Sequence, residues 1–134
     1  MKMVRLFLIS MMISAGLFAA EVHWAESYEE AVDTAKKMHK PIYVFISAPE
    51  CPWCEKLEKT TLKDPEVIRL LNDKFVPVHL VRGFDTIPNR FQVRPVPRHY
   101  VVDDEKNYFY EDIGYFPKDI FMLMLNTTLK EMKR

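Results

Sequence analysis

Glycine is scarce in this chain: three residues stand against nine prolines, no unit recurs, and no stretch is low in complexity. Collagen-like, repetitive and disordered readings are excluded on that ground. An excess of either charge is also lacking, since nineteen Lys and Arg balance nineteen Asp and Glu. Nothing here supplies the electrostatic footprint that nucleic acid or an anionic membrane surface requires. Cysteine is limited to Cys51 and Cys54. A disulfide-stapled secreted scaffold carries four or more. What is present is the balance of a globular chain that buries a core, 49% apolar and 28% charged over 134 residues, the length of one domain.

The first twenty residues do not belong with the rest. Lys2 and Arg5 precede an uncharged run from Leu6 to Phe18, and Ala19 and Ala20 follow before Glu21 turns the chain polar. A charged start, an apolar middle and a small-residue exit form the pattern of a secretory signal peptide. The run is shorter than the roughly twenty residues a spanning helix wants. Residues 1–20 are therefore expected to direct export, with an uncleaved N-terminal anchor as the alternative. Residues 21–134 form the working domain, whose charge balance is 17 basic against 19 acidic, or −2.

Along that domain, Ser27 and Glu30 have capping-box spacing, and apolar residues recur at helical intervals from Tyr28 to Met38 until Pro41. Ile42–Ser47 reads as a buried strand. A helix is predicted from Cys51 to about Thr60, opened by Pro52, and another from Asp64-Pro65. Phe75–Val81 has strand character, and a short helical turn is predicted around Ile87–Gln92. His99–Asp103 and Asn107–Glu111 form a hairpin about the turn Asp104-Glu105-Lys106. The last helix follows Gly114 and Pro117, with Ile120, Phe121, Met124, Leu125, Leu129 and Met132 on one side. Strands separated by helices imply parallel crossovers, and the late hairpin adds an antiparallel edge. The expected architecture is α/β, a mixed central sheet with helices on both faces.

Cys51-Pro52-Trp53-Cys54 sits where a buried strand ends and a helix begins. A thiolate at a helix N-terminus faces unpaired N–H groups and the positive end of the helix dipole, which lowers its pKa from about 8.5 to as little as about 3.5. Cys51 is placed as the attacking thiolate, and Cys54, one turn further in, as the resolving thiol. An inert local disulfide closes too small a loop to stabilise the chain much. A closed zinc site wants four ligands, whereas His23, His39, His79 and His99 are scattered.

With these residues in view the chain resembles a thioredoxin-fold protein, and within that fold the exported thioredoxin-like group that resembles the C-terminal domain of the thiol transporter DsbD. The likeness runs through Ala35-Lys36-Lys37, Lys40-Pro41-Ile42, the Cys51–Cys54 motif, Asp64-Pro65-Glu66-Val67, Phe75-Val76-Pro77-Val78 and Phe91 to Pro97. It implies a cis-proline at Pro97, with Pro95 the other candidate. It further implies a substrate strand paired with the backbone of Val96, contacts through Trp53, and a late glycine at Gly114 that lets the backbone pass close to the site. Two departures stand out. Phe45 occupies the position of the family's buried acid, and the inner dipeptide Pro-Trp carries no cation. Arg98 and His99 are assigned a strand-edge role.

The resemblance implies an exported, periplasmic thiol-disulfide oxidoreductase acting on protein cysteines without a cofactor. It implies a monomer working in the reducing direction with electrons from a membrane thiol donor of the DsbD type. The alternatives are a metallochaperone holding a soft ion such as Cu(I) on the two thiolates, and a disulfide-forming oxidase.

Overall fold

The structure is a computed structural model that describes residues 20–134. The segment read as a signal peptide lies, but for Ala20, outside the described residues. Four strands and four helices follow in the order α1 (Tyr28–Met38), β1 (Ile42–Ser47), α2 (Pro52–Lys59), α3 (Pro65–Lys74), β2 (Val76–Val81), β3 (Arg98–Asp103), β4 (Tyr108–Ile113) and α4 (Lys118–Glu131). The sheet order is β2-β1-β3-β4. β1 runs parallel to β2 and antiparallel to β3, and β3 pairs antiparallel with β4.

Local chemistry starts and stops these elements much as the sequence predicts. Ser27 accepts the Glu30 N–H at the start of α1, and the helix ends on His39 in the left-handed region, just before Pro41. Asp64 accepts the N–H groups of Glu66 and Val67 at the head of α3, with Pro65 in the first turn. All six residues of β1 are buried, as a central strand covered on both faces requires.

Two layers of apolar side chains sandwich the sheet. On one side Ala31 of α1 packs with Ile42, Val44, Ile46, Val78 and Tyr100. On the other, Leu57, Val67, Ile68, Leu71, Phe121 and Leu125 from α2, α3 and α4 meet Tyr43, Phe45 and Val101. Burying such side chains contributes roughly 1.5–3 kcal/mol each. Helices therefore cover both faces, as expected. Ahead of α1, Glu21 and His23 are held by Asn72 of α3, Ala25 bridges Val78 at the β2 edge, and Trp24 lays its ring against Tyr43, Phe45 and His79.

Three expectations need correction. Ile87–Gln92 forms no helix; the segment holds only a turn closed by the Phe91 N–H on the Pro88 carbonyl, because the Gln92 N–H that would extend it is taken by the Tyr100 hydroxyl. Ile120 of α4 is exposed, since the helix turns the stripe through Phe121, Met124, Leu125 and Thr128 to the sheet, with Leu129 and Met132 packed beside it. Arg98 and His99 are not at a strand edge: β3 lies inside the sheet, and both residues are buried.

Candidate functional site

Cys51 is the N-cap of α2, with Pro52 in the first turn. Its Sγ accepts the backbone N–H of Cys54 at 3.2 Å, taking up one of the donors that the first helical turn leaves free. Cys51 is half-buried and Cys54 is 1% exposed. The two are joined in a disulfide, with their Cα atoms 5.2 Å apart. The chain thus presents one sulfur to solvent at a helix N-terminus and hides the other one turn deeper. No group of three or more His, Cys, Asp and Glu side chains among the described residues could hold a metal ion.

A surface groove runs beside the pair, lined by Trp53, Val96, Pro97, Gly114 and Tyr115. Trp53 is 57% exposed. Its ring lies 5.8 Å from that of Tyr115, and Lys56 Nζ stands over both rings at 5.2 and 4.7 Å. This is a cation–π bracket that orders two otherwise free aromatic side chains. Val96 and Cys51 pack against the same core cluster as Cys54. The peptide bonds Arg94-Pro95 and Val96-Pro97 are both cis, so the two candidate prolines share that geometry. Among the described residues, neither the N–H nor the C=O of Val96 is taken up by another backbone group.

The loop bearing Val96 is held from beneath. Arg98 donates to the carbonyl of Arg94 at 2.8 Å and to the Tyr100 hydroxyl at 3.0 Å, and ion-pairs with Glu111. Tyr100 in turn accepts the Gln92 N–H at 2.9 Å. Arg82 donates to the Val93 carbonyl at 2.7 Å. Arg98 is therefore a buried anchor of the loop with no access to a substrate. Gly114 has φ +110°, and an added Cβ would meet nothing within 4 Å. Its backbone angle, rather than a close approach, is what calls for glycine.

Beneath Cys54 the sheet carries Phe45 where the resemblance leads one to look for an acid. Phe45 is in register with His79 on β2 and His99 on β3. The three rings form a cross-strand ladder, with centroids 4.4 and 6.1 Å from Phe45 and planes within 18°. Burial holds both histidines at a pKa of about 4, so both are neutral at physiological pH. His79 Nε2 pairs with Ser47 Oγ at 2.6 Å, and its Nδ1 lies 3.7 Å from the Glu58 carboxylate. Glu58 is four residues beyond Cys54 on α2, hence on the same helix face. Partial burial, with Glu55 nearby, raises its pKa. The sequence analysis passed over Glu58, whose signal was the i, i+4 spacing from Cys54. His79 and His99 could be found only by strand register.

A parallel-antiparallel four-stranded sheet with a Cys-x-x-Cys disulfide at the N-terminus of α2 and a cis-proline loop beside it defines a thioredoxin-fold protein. Solved structures agree. A thioredoxin from Thermus thermophilus superposes with TM-score 0.67 at 23% identity over 81% of this chain and 88% of its own. A DsbH oxidoreductase gives 0.66 at 22% over 84% and 87%. The oxidised C-terminal domain of Neisseria meningitidis DsbD gives 0.60 at 22% over 75% and 92%. The family model Thioredox_DsbH, described as "Protein of unknown function, DUF255", matches residues 16–88. The chain belongs to that family. Among curated relatives, mouse spermatogenesis-associated protein 20 is 38% identical over 61 residues, 46% of this chain. The matched stretch spans only 8% of that relative's length.

Proposed function

We propose that the protein is an exported thiol-disulfide oxidoreductase of the periplasm that reduces disulfides in protein substrates through Cys51 and Cys54. The observation that carries the reading is the position of Cys51: N-cap of α2, half-exposed, with Sγ facing the N–H of Cys54. A thiolate formed there is stabilised by the helix terminus.

In the reduced protein, the Cys51 thiolate attacks one sulfur of the substrate disulfide. That bond breaks, the distal substrate sulfur leaves as a thiolate, and a mixed disulfide forms. Cys54 then gives up its proton and attacks Cys51 Sγ. The second substrate thiolate departs and takes a proton, and two electrons have moved to the substrate. A thiol donor reverses the Cys51–Cys54 disulfide. Glu58, the half-buried carboxylate on the helix face of Cys54, is the candidate on that helix to take the proton. Trp53, Val96 and Pro97 hold the substrate, the free backbone groups of Val96 pairing with an extended segment. The protein acts as a monomer, and a membrane thiol donor of the DsbD type regenerates it.

The test is catalysis by the purified protein of protein-disulfide reduction with dithiothreitol as donor, with and without a chelator. An accelerated rate that the chelator leaves unchanged supports the reading. Stoichiometric Cu(I) binding without catalysis would move the assignment to metal transfer.

A further inference from the structure

His99 is fully buried, yet both its ring nitrogens are engaged. Nδ1 lies 2.8 Å from the Tyr43 hydroxyl and Nε2 lies 2.8 Å from the Gly114 carbonyl oxygen. A carbonyl can only accept, so Nε2 carries the proton. The ring is neutral, so Nδ1 holds a lone pair and Tyr43 must donate to it. Direction is thereby fixed along the whole chain: Tyr43 O–H to Nδ1, Nε2–H to the Gly114 carbonyl. One residue further the relay reaches the loop, because the Gly114 N–H donates to the Pro97 carbonyl at 2.9 Å. Gly114 and Pro97 both line the groove with Trp53, Val96 and Tyr115.

The rest of the surroundings have the same effect. Phe116, two residues past Gly114, stacks on the His99 ring at 4.9 Å, and Phe121 meets its edge at 5.8 Å. The groups that face the ring are Tyr43 from β1 and Asp112 from β4. Gly114 follows β4, which pairs only with β3. The groove wall at Gly114-Tyr115 follows the edge strand. Thr60 holds the Tyr115 hydroxyl and Thr61 the Phe116 carbonyl from the end of α2 onward, while His99 is the side chain that ties Gly114 itself to the centre of the sheet.

We infer that His99 is a positioning residue for substrate binding: by donating from Nε2 to the Gly114 carbonyl it fixes the wall of the groove opposite Trp53 and the spacing of Gly114 from the Val96-Pro97 loop. This rests on the redox reading above, since the groove is where that reading seats a protein substrate. His99 touches neither sulfur nor substrate. Its loss should change how well a protein disulfide binds and leave the nucleophile untouched.

Two variants separate the tie from mere bulk. His99→Gln keeps a side-chain N–H at the distance of Nε2, whereas His99→Asn is too short to reach Gly114. With reduction of a protein disulfide as the assay, H99N should raise KM about tenfold with kcat nearly unchanged, and H99Q should stay within about threefold of the wild type. Reduction of a small aromatic disulfide, which does not fill the groove, and the alkylation rate of Cys51 should be the same in all three. If H99N and H99Q are equally impaired, or if the small-disulfide rate falls in step with the protein-disulfide rate, His99 is only a packing residue and the inference fails. A wild-type protein without any disulfide reductase activity instead sinks the redox reading itself. Should the variants not fold, nitrogen-15 NMR of the wild-type ring decides. A neutral Nε2–H tautomer persisting at pH 5 is required, and an Nδ1–H tautomer or titration near pH 6.5 overturns the assignment.

Discussion

The rings of Phe45 and His79 lie 4.4 Å apart and 18° from parallel, an apolar and a titratable side chain sharing one layer of the sheet beneath Cys54. With His99 on the other side of Phe45, the layer contains two histidines that folding keeps neutral and unfolding releases to titrate normally.

Stability should consequently fall on mild acidification. An unfolded histidine takes up a proton near pH 6.5, while the folded ring resists until about pH 4. Between those values the unfolded state binds more protons, so stability drops as pH falls, by about 1.4 kcal/mol per pH unit for each histidine. Urea melts of the wild type at pH 7, 6 and 5 should show a falling midpoint, and His79→Asn or His99→Gln should flatten the slope by about half. A midpoint that stays level from pH 7 to pH 5 contradicts the buried neutral histidines.

The two cysteines should differ in reactivity. Cys51 alone caps the helix and is half-exposed, and Cys54 is buried. In the reduced protein, iodoacetamide should label Cys51 at a pH well below that of an ordinary thiol. Cys54→Ala should accumulate a mixed disulfide with substrate, and Cys51→Ala should not. Equal labelling of both thiols at neutral pH would reverse the assignment of roles.

No cation sits between the sulfurs, because Trp53 points its ring toward Tyr115 and the nearby Lys56 is engaged over both rings. A reduced form without that extra stabilisation corresponds to a potential below about −150 mV. Equilibration with glutathione measures it. A value near −120 mV is that of a strong oxidant, and would favour the disulfide-forming alternative.

Gly114→Ala should destabilise the fold by about 1–2 kcal/mol, since an alanine strains at φ +110° even though its Cβ has room. Chemical denaturation reads this directly. A neutral substitution would mean that the loop relaxes to another backbone angle and that the groove wall is not fixed.

Much of this fold was legible because its punctuation is local. Ser27, Pro41, Pro52, Asp64 and Pro65 start or stop elements by capping and by missing N–H groups, which act over three or four residues. The cysteine pair was legible for the same reason, as a Cys-x-x-Cys at a strand-to-helix junction, where the structure places it as a disulfide at the head of α2. Ile87–Gln92 misled because apolar spacing over so short a stretch does not tell a helix from an isolated turn. Arg98 and His99 were misjudged because their burial depends on β3 pairing with β1 and β4 at once, a long-range fact. Glu58, His79 and Phe45 belong together only through strand register and helix facing.

Pro77, in β2, has no N–H to offer an incoming strand, and its carbonyl already accepts the Ala25 N–H at 2.8 Å. At the opposite edge, β4 carries Glu111 and Asp112 on a strand that alternates half-buried and exposed residues, a pairing surface that repels chains without matching charge. Edge-to-edge aggregation is thus discouraged on both flanks of the sheet. An extended polypeptide seeking backbone partners meets a blocked edge, a charged edge and the unpaired peptide groups of Val96. For the proposed reduction of protein disulfides, the backbone open to pairing is thereby confined to the loop beside the sulfurs.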